Sequence, residues 1–108
     1  MTLIETQALE SALTEFARVR NWERFHTPKN LAMALSVEVA ELVEIFQWKT
    51  EAESQAVMHS DEAEHVRQEL ADIALYLVRL SSVLGVDLDA AIQAKLVINA
   101  QKYPAGGS

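Results

Sequence analysis

The chain has 108 residues, half of them hydrophobic, with no cysteine, three glycines and two prolines. That is one domain's length with a core to bury, and it excludes disulfides and thiolate metal sites. A formal net charge of −7 with nine scattered Lys and Arg argues against a duplex-binding surface, which needs clustered cations.

The N-terminus, MTLIETQALESALTEF, has no basic region followed by an apolar core, so no signal peptide is expected. No apolar run approaches membrane-spanning length. We expect a soluble cytoplasmic protein with no nucleic acid or membrane partner. The first predicted helix opens on Thr2, with Glu5 completing a capping box, and runs to about Val19. Leu9, Leu13 and Phe16 form its apolar stripe. RNWERFHTPKN is a connector. Thr27 caps a second helix, with Pro28 at its first position, that runs to about Trp48.

Residues 49–60, KTEAESQAVMHS, are polar and aperiodic, so they predict a loop with at most a helical turn. Ser60 opens a third helix, with Asp61 and Glu62 in its first turn. It ends at Leu84, where Gly85 is the stop signal. Asp87 caps a fourth helix, which ends before Tyr103 and Pro104. Residues 1–104 then form a single helical domain and 105–108 a flexible tail. Four helices in about a hundred residues predict an all-α four-helix bundle. The segment LADIALYLVRLSSVL is apolar almost all round. One small bundle cannot cover such a helix, so a homo-oligomer is expected to bury the surplus.

The acids carry the chemistry. On the second helix, at roughly 100° per residue, Leu31, Leu35, Val39, Leu42 and Phe46 cluster on one side. Glu38 sits beside that stripe, Glu41 lies about 60° further out, and Glu44 falls on the polar side. The third helix repeats the pattern. Glu69 borders a stripe of Leu70, Ile73, Leu77, Leu80 and Leu84, with Asp72 three residues on and Tyr76 one turn beyond. If the two helices pack antiparallel, Glu38, Glu41, Glu69 and Asp72 converge. Four carboxylates at low dielectric repel strongly unless protonated or bound to cations. Oxygen-only ligands favour Mg²⁺ or Mn²⁺, and Mg²⁺ keeps positions open for phosphate oxygens. One Glu-x-x-Glu alone is an ordinary solvated face; two such pairs, each bordering an apolar stripe, are not. Glu62-x-x-His65 lacks the second such pair that a di-iron bundle needs. Lys95, Asn99 and Lys102 share one side of the fourth helix, where they can meet phosphates or simply be solvated.

NWERFHTPKNLAMALSVEVAELVEIFQWK, ELADIALYLVRL and VDLDAAIQAKLVINAQKYP, in that order, resemble the MazG-like nucleotide pyrophosphohydrolases, most nearly their dCTP pyrophosphatase branch. The resemblance runs from about Phe16 to Pro104. The family's motif is Glu-Glu-x-x-Glu followed by Glu-x-x-Asp; Val37 stands where the first glutamate would be. The resemblance implies that Glu38, Glu41, Glu69 and Asp72 bind Mg²⁺ and that a nucleoside triphosphate is split to monophosphate and pyrophosphate. Glu41 or Glu38 would orient the attacking water. It further implies that Trp22, His26, Trp48 and Tyr76 line the base pocket and that Lys95 and Asn99 contact the ligand. With it we expect a homotetramer built as two dimers, acting on dCTP-like deoxynucleotides in nucleotide-pool house-cleaning. The alternatives are a relative acting on another nucleotide such as dUTP, and a non-catalytic helical regulator that binds no metal.

Overall fold

The computed structural model describes residues 1–106, so 107–108 of the expected tail lie outside the described residues. Five α-helices follow one another: α1 (Gln7–Val19), α2 (Pro28–Phe46), α3 (Glu51–Gln55), α4 (Ala63–Leu84) and α5 (Leu88–Lys102). No strand occurs among the described residues. The all-helical class is the one the sequence predicts, with α3 added to the four expected helices. No described helix is long and apolar enough to cross a membrane.

Local chemistry explains most helix ends. Thr27 accepts the N–H of Asn30 at 3.3 Å and Pro28 follows in the first turn of α2. Asp87 accepts the N–H of Ala90 at 3.0 Å and opens α5. Gly85, at φ 70°, ends α4: its N–H bonds the Ser82 carbonyl and that of Val86 bonds Ser81. These paired bonds make a Schellman motif, which needs a left-handed residue. Asn21, at φ 56°, does the same for α1. Its N–H reaches the Arg18 carbonyl at 3.1 Å, and the Trp22 N–H reaches Ala17 at 2.9 Å.

Three boundaries differ from expectation. The capping box at Thr2 and Glu5 does not form, and α1 starts at Gln7. The N–H groups of Leu3 and Ile4 instead donate to Asp89 Oδ1 at 2.8 and 2.9 Å. A tertiary partner on α5 has taken donors that a helix start would have needed capped. Residues 49–60 hold more regular structure than a loop with one helical turn. Thr50 and Glu53 form a reciprocal capping box for α3, and a 3-10 turn covers Val57–His59. Ser60 does not cap α4; it accepts the Glu62 N–H at 3.1 Å and closes a turn, and α4 begins at Ala63.

The centre of the fold is the pair α2 and α4. Ile45, near the end of α2, packs with Val66, near the start of α4, and with Val57 from the crossover, flanked by Leu42 and Phe46. At the other end Arg79 of α4 reaches His26, just before α2. The helices therefore run antiparallel. An ion pair between Lys49 and Glu62 clamps the crossover. Helix α1 lies on α4, and Ala17 there is wholly buried. Leu31 is the most enclosed large side chain, 2 % exposed. Leu31→Ala is expected to cost about 2–5 kcal/mol, read from the urea midpoint, because a cavity would remain in the main helix pair.

Much apolar surface stays uncovered. Leu70, Leu77 and Leu84, expected in the core stripe of this helix, are exposed, while Ile73 and Leu80 are half-buried. Val39, expected on the inner row of α2, is also exposed. The physical reason is that α4 is apolar on several sides and α2 covers only one. Helix α5 makes only slight contact with the other helices, and its Leu96, Val97 and Ile98 face outward. The radius of gyration, 16.9 Å, exceeds the roughly 13 Å of a compact domain this long.

Candidate active site

Antiparallel packing turns Glu38 and Glu41, one turn apart on α2, toward Glu69 on α4. One carboxylate oxygen from each lies within 4.8 Å of the others. Glu69 is buried, and Glu38 and Glu41 are half-buried. Hydrogen bonding to Glu69, then burial, then the charges of Glu41, Glu69 and Asp72 push Glu38 up to about 7 from an ordinary 4.5. The bond with Glu38 pulls Glu69 down, but burial and the neighbouring Glu41 and Asp72 outweigh it, and Glu69 is raised. The two thus hold a proton that isolated carboxylates would shed.

Two oxygens, Glu38 Oε2 and Glu69 Oε2, are buried without any hydrogen-bond partner. Buried acceptors are normally satisfied. Carboxylate oxygens left without a partner in an all-oxygen donor set fit a hard divalent cation such as Mg²⁺ or Mn²⁺. Asp72 lies outside the tightest group, yet its charge helps raise both glutamates. His65 Nε2 lies 3.4 Å from Glu69 Oε1, with its ring mostly in solvent. Glu44 faces solvent.

Beside these acids is a cavity of about 150 Å³, lined by Phe16, Trp22, His26, Tyr76 and Arg79 among others, with Asp72 at the seam. An engineered apolar cavity of about that size holds a benzene ring. The Schellman turn at Asn21 sets Trp22 against α1. Its ring meets Phe16 edge-on at 5.7 Å and lies 6.3 Å from the His26 ring. The Arg20 guanidinium lies over the Phe16 ring, 3.4 Å from its centre, and 6.0 Å from that of Trp22. His26 Nδ1 accepts from Arg79 Nε at 3.1 Å, and Arg79 Nη1 donates to Thr14 Oγ1 at 3.1 Å. Burial, then the Arg79 charge, lowers the His26 pKa, so the ring is neutral near pH 7.

The structure thus gathers Glu38, Glu41 and Glu69 in one group, and Trp22, His26, Tyr76 and Asp72 around one cavity. It does not bring Trp48 there. That ring follows the end of α2 and is 88 % exposed. Lys95 and Lys102 are exposed and Asn99 is half-buried on α5, which barely touches α2 or α4. Sequence reasoning missed Arg79. Its signal was a single cation inside the apolar run LYLVRLSSVL.

The MazG-like family model matches residues 33–108. The dCTP pyrophosphatase 1 of Homo sapiens is 47% identical over 92 residues, covering 84% of this chain and 54% of that protein. That of Rattus norvegicus is 45% identical over 91 residues, covering 83% and 54%. The chain spans about half the length of the curated relatives it matches. A crystal structure of a pyrophosphatase from Archaeoglobus fulgidus DSM 4304 superposes with a TM-score of 0.84 at 41% identity, covering 92% of each chain.

Proposed function

The chain belongs to the MazG-like family, and from that premise we propose that it is a nucleoside triphosphate pyrophosphohydrolase releasing nucleoside monophosphate and pyrophosphate. The observation that carries this reading is the trio Glu38, Glu41 and Glu69, with two orphaned buried oxygens, beside a ring-sized aromatic cavity. The name of the human relative, dCTP pyrophosphatase 1, supports dCTP-like deoxynucleotides as substrates and a part in clearing the nucleotide pool.

Glu38, Glu41, Glu69 and Asp72 would hold Mg²⁺ or Mn²⁺. A divalent cation there supplies neutralisation of polyphosphate charge. The chain's own residues do the rest. Trp22 and Tyr76 offer rings for a base to stack on, worth about 1–3 kcal/mol per base. Asp72, shared between cavity and acids, sets the base end of the ligand against its phosphate end. Glu41 or Glu38 orients a water for attack on the α-phosphorus and receives its proton. An idle helical regulator is disfavoured, because a buried like-charge cluster costs stability and needs a use to persist.

We also propose that the working form is a homo-oligomer, a tetramer built as two dimers. The accessible surface is 7930 Å², against roughly 6,000 Å² for a compact monomer of this mass. The excess, about 1,900 Å² per chain, exceeds the about 800 Å² that each partner contributes to a standard interface. Trp48, Lys95, Asn99 and Lys102 would then serve a neighbouring protomer's site.

The reading is tested by incubating the protein with a panel of deoxy- and ribonucleoside triphosphates and assaying pyrophosphate. We expect dCTP to give dCMP and pyrophosphate with Mg²⁺ or Mn²⁺ and nothing with EDTA. Release of orthophosphate instead, or no product from any nucleotide, would overturn it. A faster rate with dUTP would favour the other nucleotide reading.

A further inference from the structure

Arg79 is out of place in a helix core. It is 8 % exposed, and among the described residues no carboxylate lies within ion-pair distance of it. A buried guanidinium with only neutral partners is costly. What it does is donate from Nε to His26 Nδ1 and from Nη1 to Thr14 Oγ1. A guanidinium has no acceptor. Nδ1 of His26 is therefore the lone-pair nitrogen, and the neutral imidazole carries its proton on Nε2. Burial and the adjacent cation both disfavour a second proton. Both side chains line the ring-sized cavity. The free polar group that His26 can offer is thus an N–H donor, and it cannot become an acceptor while Arg79 holds Nδ1.

We propose that Arg79 is a positioning residue that fixes His26 as an Nε2–H donor, and that this donor selects cytosine over uracil and thymine. The inference rests on the pyrophosphohydrolase reading above. Cytosine presents an unprotonated N3, whereas uracil and thymine carry N–H at the same ring position. A donor facing a donor leaves both N–H groups without a partner at that contact, a penalty that a missing apolar contact does not carry. Sites built around one hydrogen bond reject the mismatched analogue strongly. Stacking on Trp22 and Tyr76 cannot supply that choice, since every base has a π-face.

The test uses the full chain in its native assembly and has two arms. In the first, ¹⁵N NMR of the imidazole nitrogens, assigned by their loss in His26→Gln, is expected to show Nδ1 bare and Nε2 protonated at neutral pH. A proton on Nδ1 overturns the proposal independently of any Arg79 variant. In the second, Arg79→Met keeps an apolar stem of similar length and removes the donors, and Arg79→Gln returns an amide NH₂ that can donate to Nδ1. The ratio of kcat/KM for dCTP to that for dUTP is expected to fall about tenfold in Arg79→Met, the scale of one hydrogen bond. Arg79→Gln should recover part of it, and calorimetric Mn²⁺ binding should be unchanged in both. A purely structural arginine would lower both substrates' values together, so an unchanged ratio overturns the proposal. A wild-type protein that hydrolyses no nucleotide overturns the functional reading itself, and the base selection with it. Failure of this inference alone looks different: dCTP is preferred, but the preference does not depend on Arg79.

Discussion

Glu38→Gln is expected to abolish pyrophosphate release and, in metal-free buffer, to raise thermal stability. The first effect follows from removing an anionic ligand beside the phosphates, where losing a single electrostatic contact costs about a hundredfold to a thousandfold in rate. The second follows from the cluster itself. Glu38 is held to about 7 against an ordinary 4.5, so between those values the folded chain keeps a proton that the unfolded chain releases. By linkage, the metal-free fold has its full share of this stability below about pH 4.5 and loses it progressively as pH rises toward 7. Glutamine keeps the shape, removes one charge and can donate to Glu69. Melts in EDTA across pH 4 to 8 should therefore show a falling midpoint for the wild type and a flatter, higher curve for Glu38→Gln. About 1 kcal/mol would appear as roughly 4–8 °C in a domain this small. Mg²⁺ should reverse the order, because ligand binding stabilises only the chain able to bind it. Identical pH profiles for the two proteins would remove the case for a strained acidic cluster.

Leu77→Glu should dissociate the assembly and sharply destabilise the chain. In an isolated protomer Leu77 is exposed, and an exposed substitution changes stability by about 0.5 kcal/mol or less. In an assembly that covers α4, the same change buries an unpaired carboxylate, a cost of several kcal/mol. The two cases are easily told apart. Light scattering coupled to size exclusion should drop from a multiple of 12.0 kDa toward the monomer, and the melting midpoint should fall by about 10 °C or more. Leu96→Glu on α5 should act alike. A monomeric wild type, or a Leu77→Glu protein with unchanged mass and midpoint, would refute the oligomer.

The sequence was most legible where one local rule governs a position. The Thr27 and Asp87 caps, the Gly85 stop and the i, i+3 acids were all visible, because each depends on neighbours within one helical turn. The N-terminal boundary was not, because Leu3 and Ile4 bond Asp89 across nearly the whole chain. Helix α3 was legible only as a helical turn within a loop, although its Thr50/Glu53 box was in plain view; periodicity has little to count over the five residues of so short a helix. The stripe of Leu70, Leu77 and Leu84 was read as core because an apolar row shows that a surface is covered, not by what. Arg79 was passed over for the same reason. Its role depends on His26, 53 positions away, which no spacing rule connects.

The division of labour between helices has one more consequence. The acids sit on the tightly packed pair α2 and α4, whereas Thr14, Phe16 and Trp22 hang from α1 and the turn after it, which touch that pair at few points. Substitutions in the part of the wall that α1 and its turn carry can therefore accumulate without disturbing the phosphate end, although Tyr76 and Arg79 on α4 stay tied to it. A lineage carrying this scaffold can change which base it accepts while its cleavage apparatus is inherited intact.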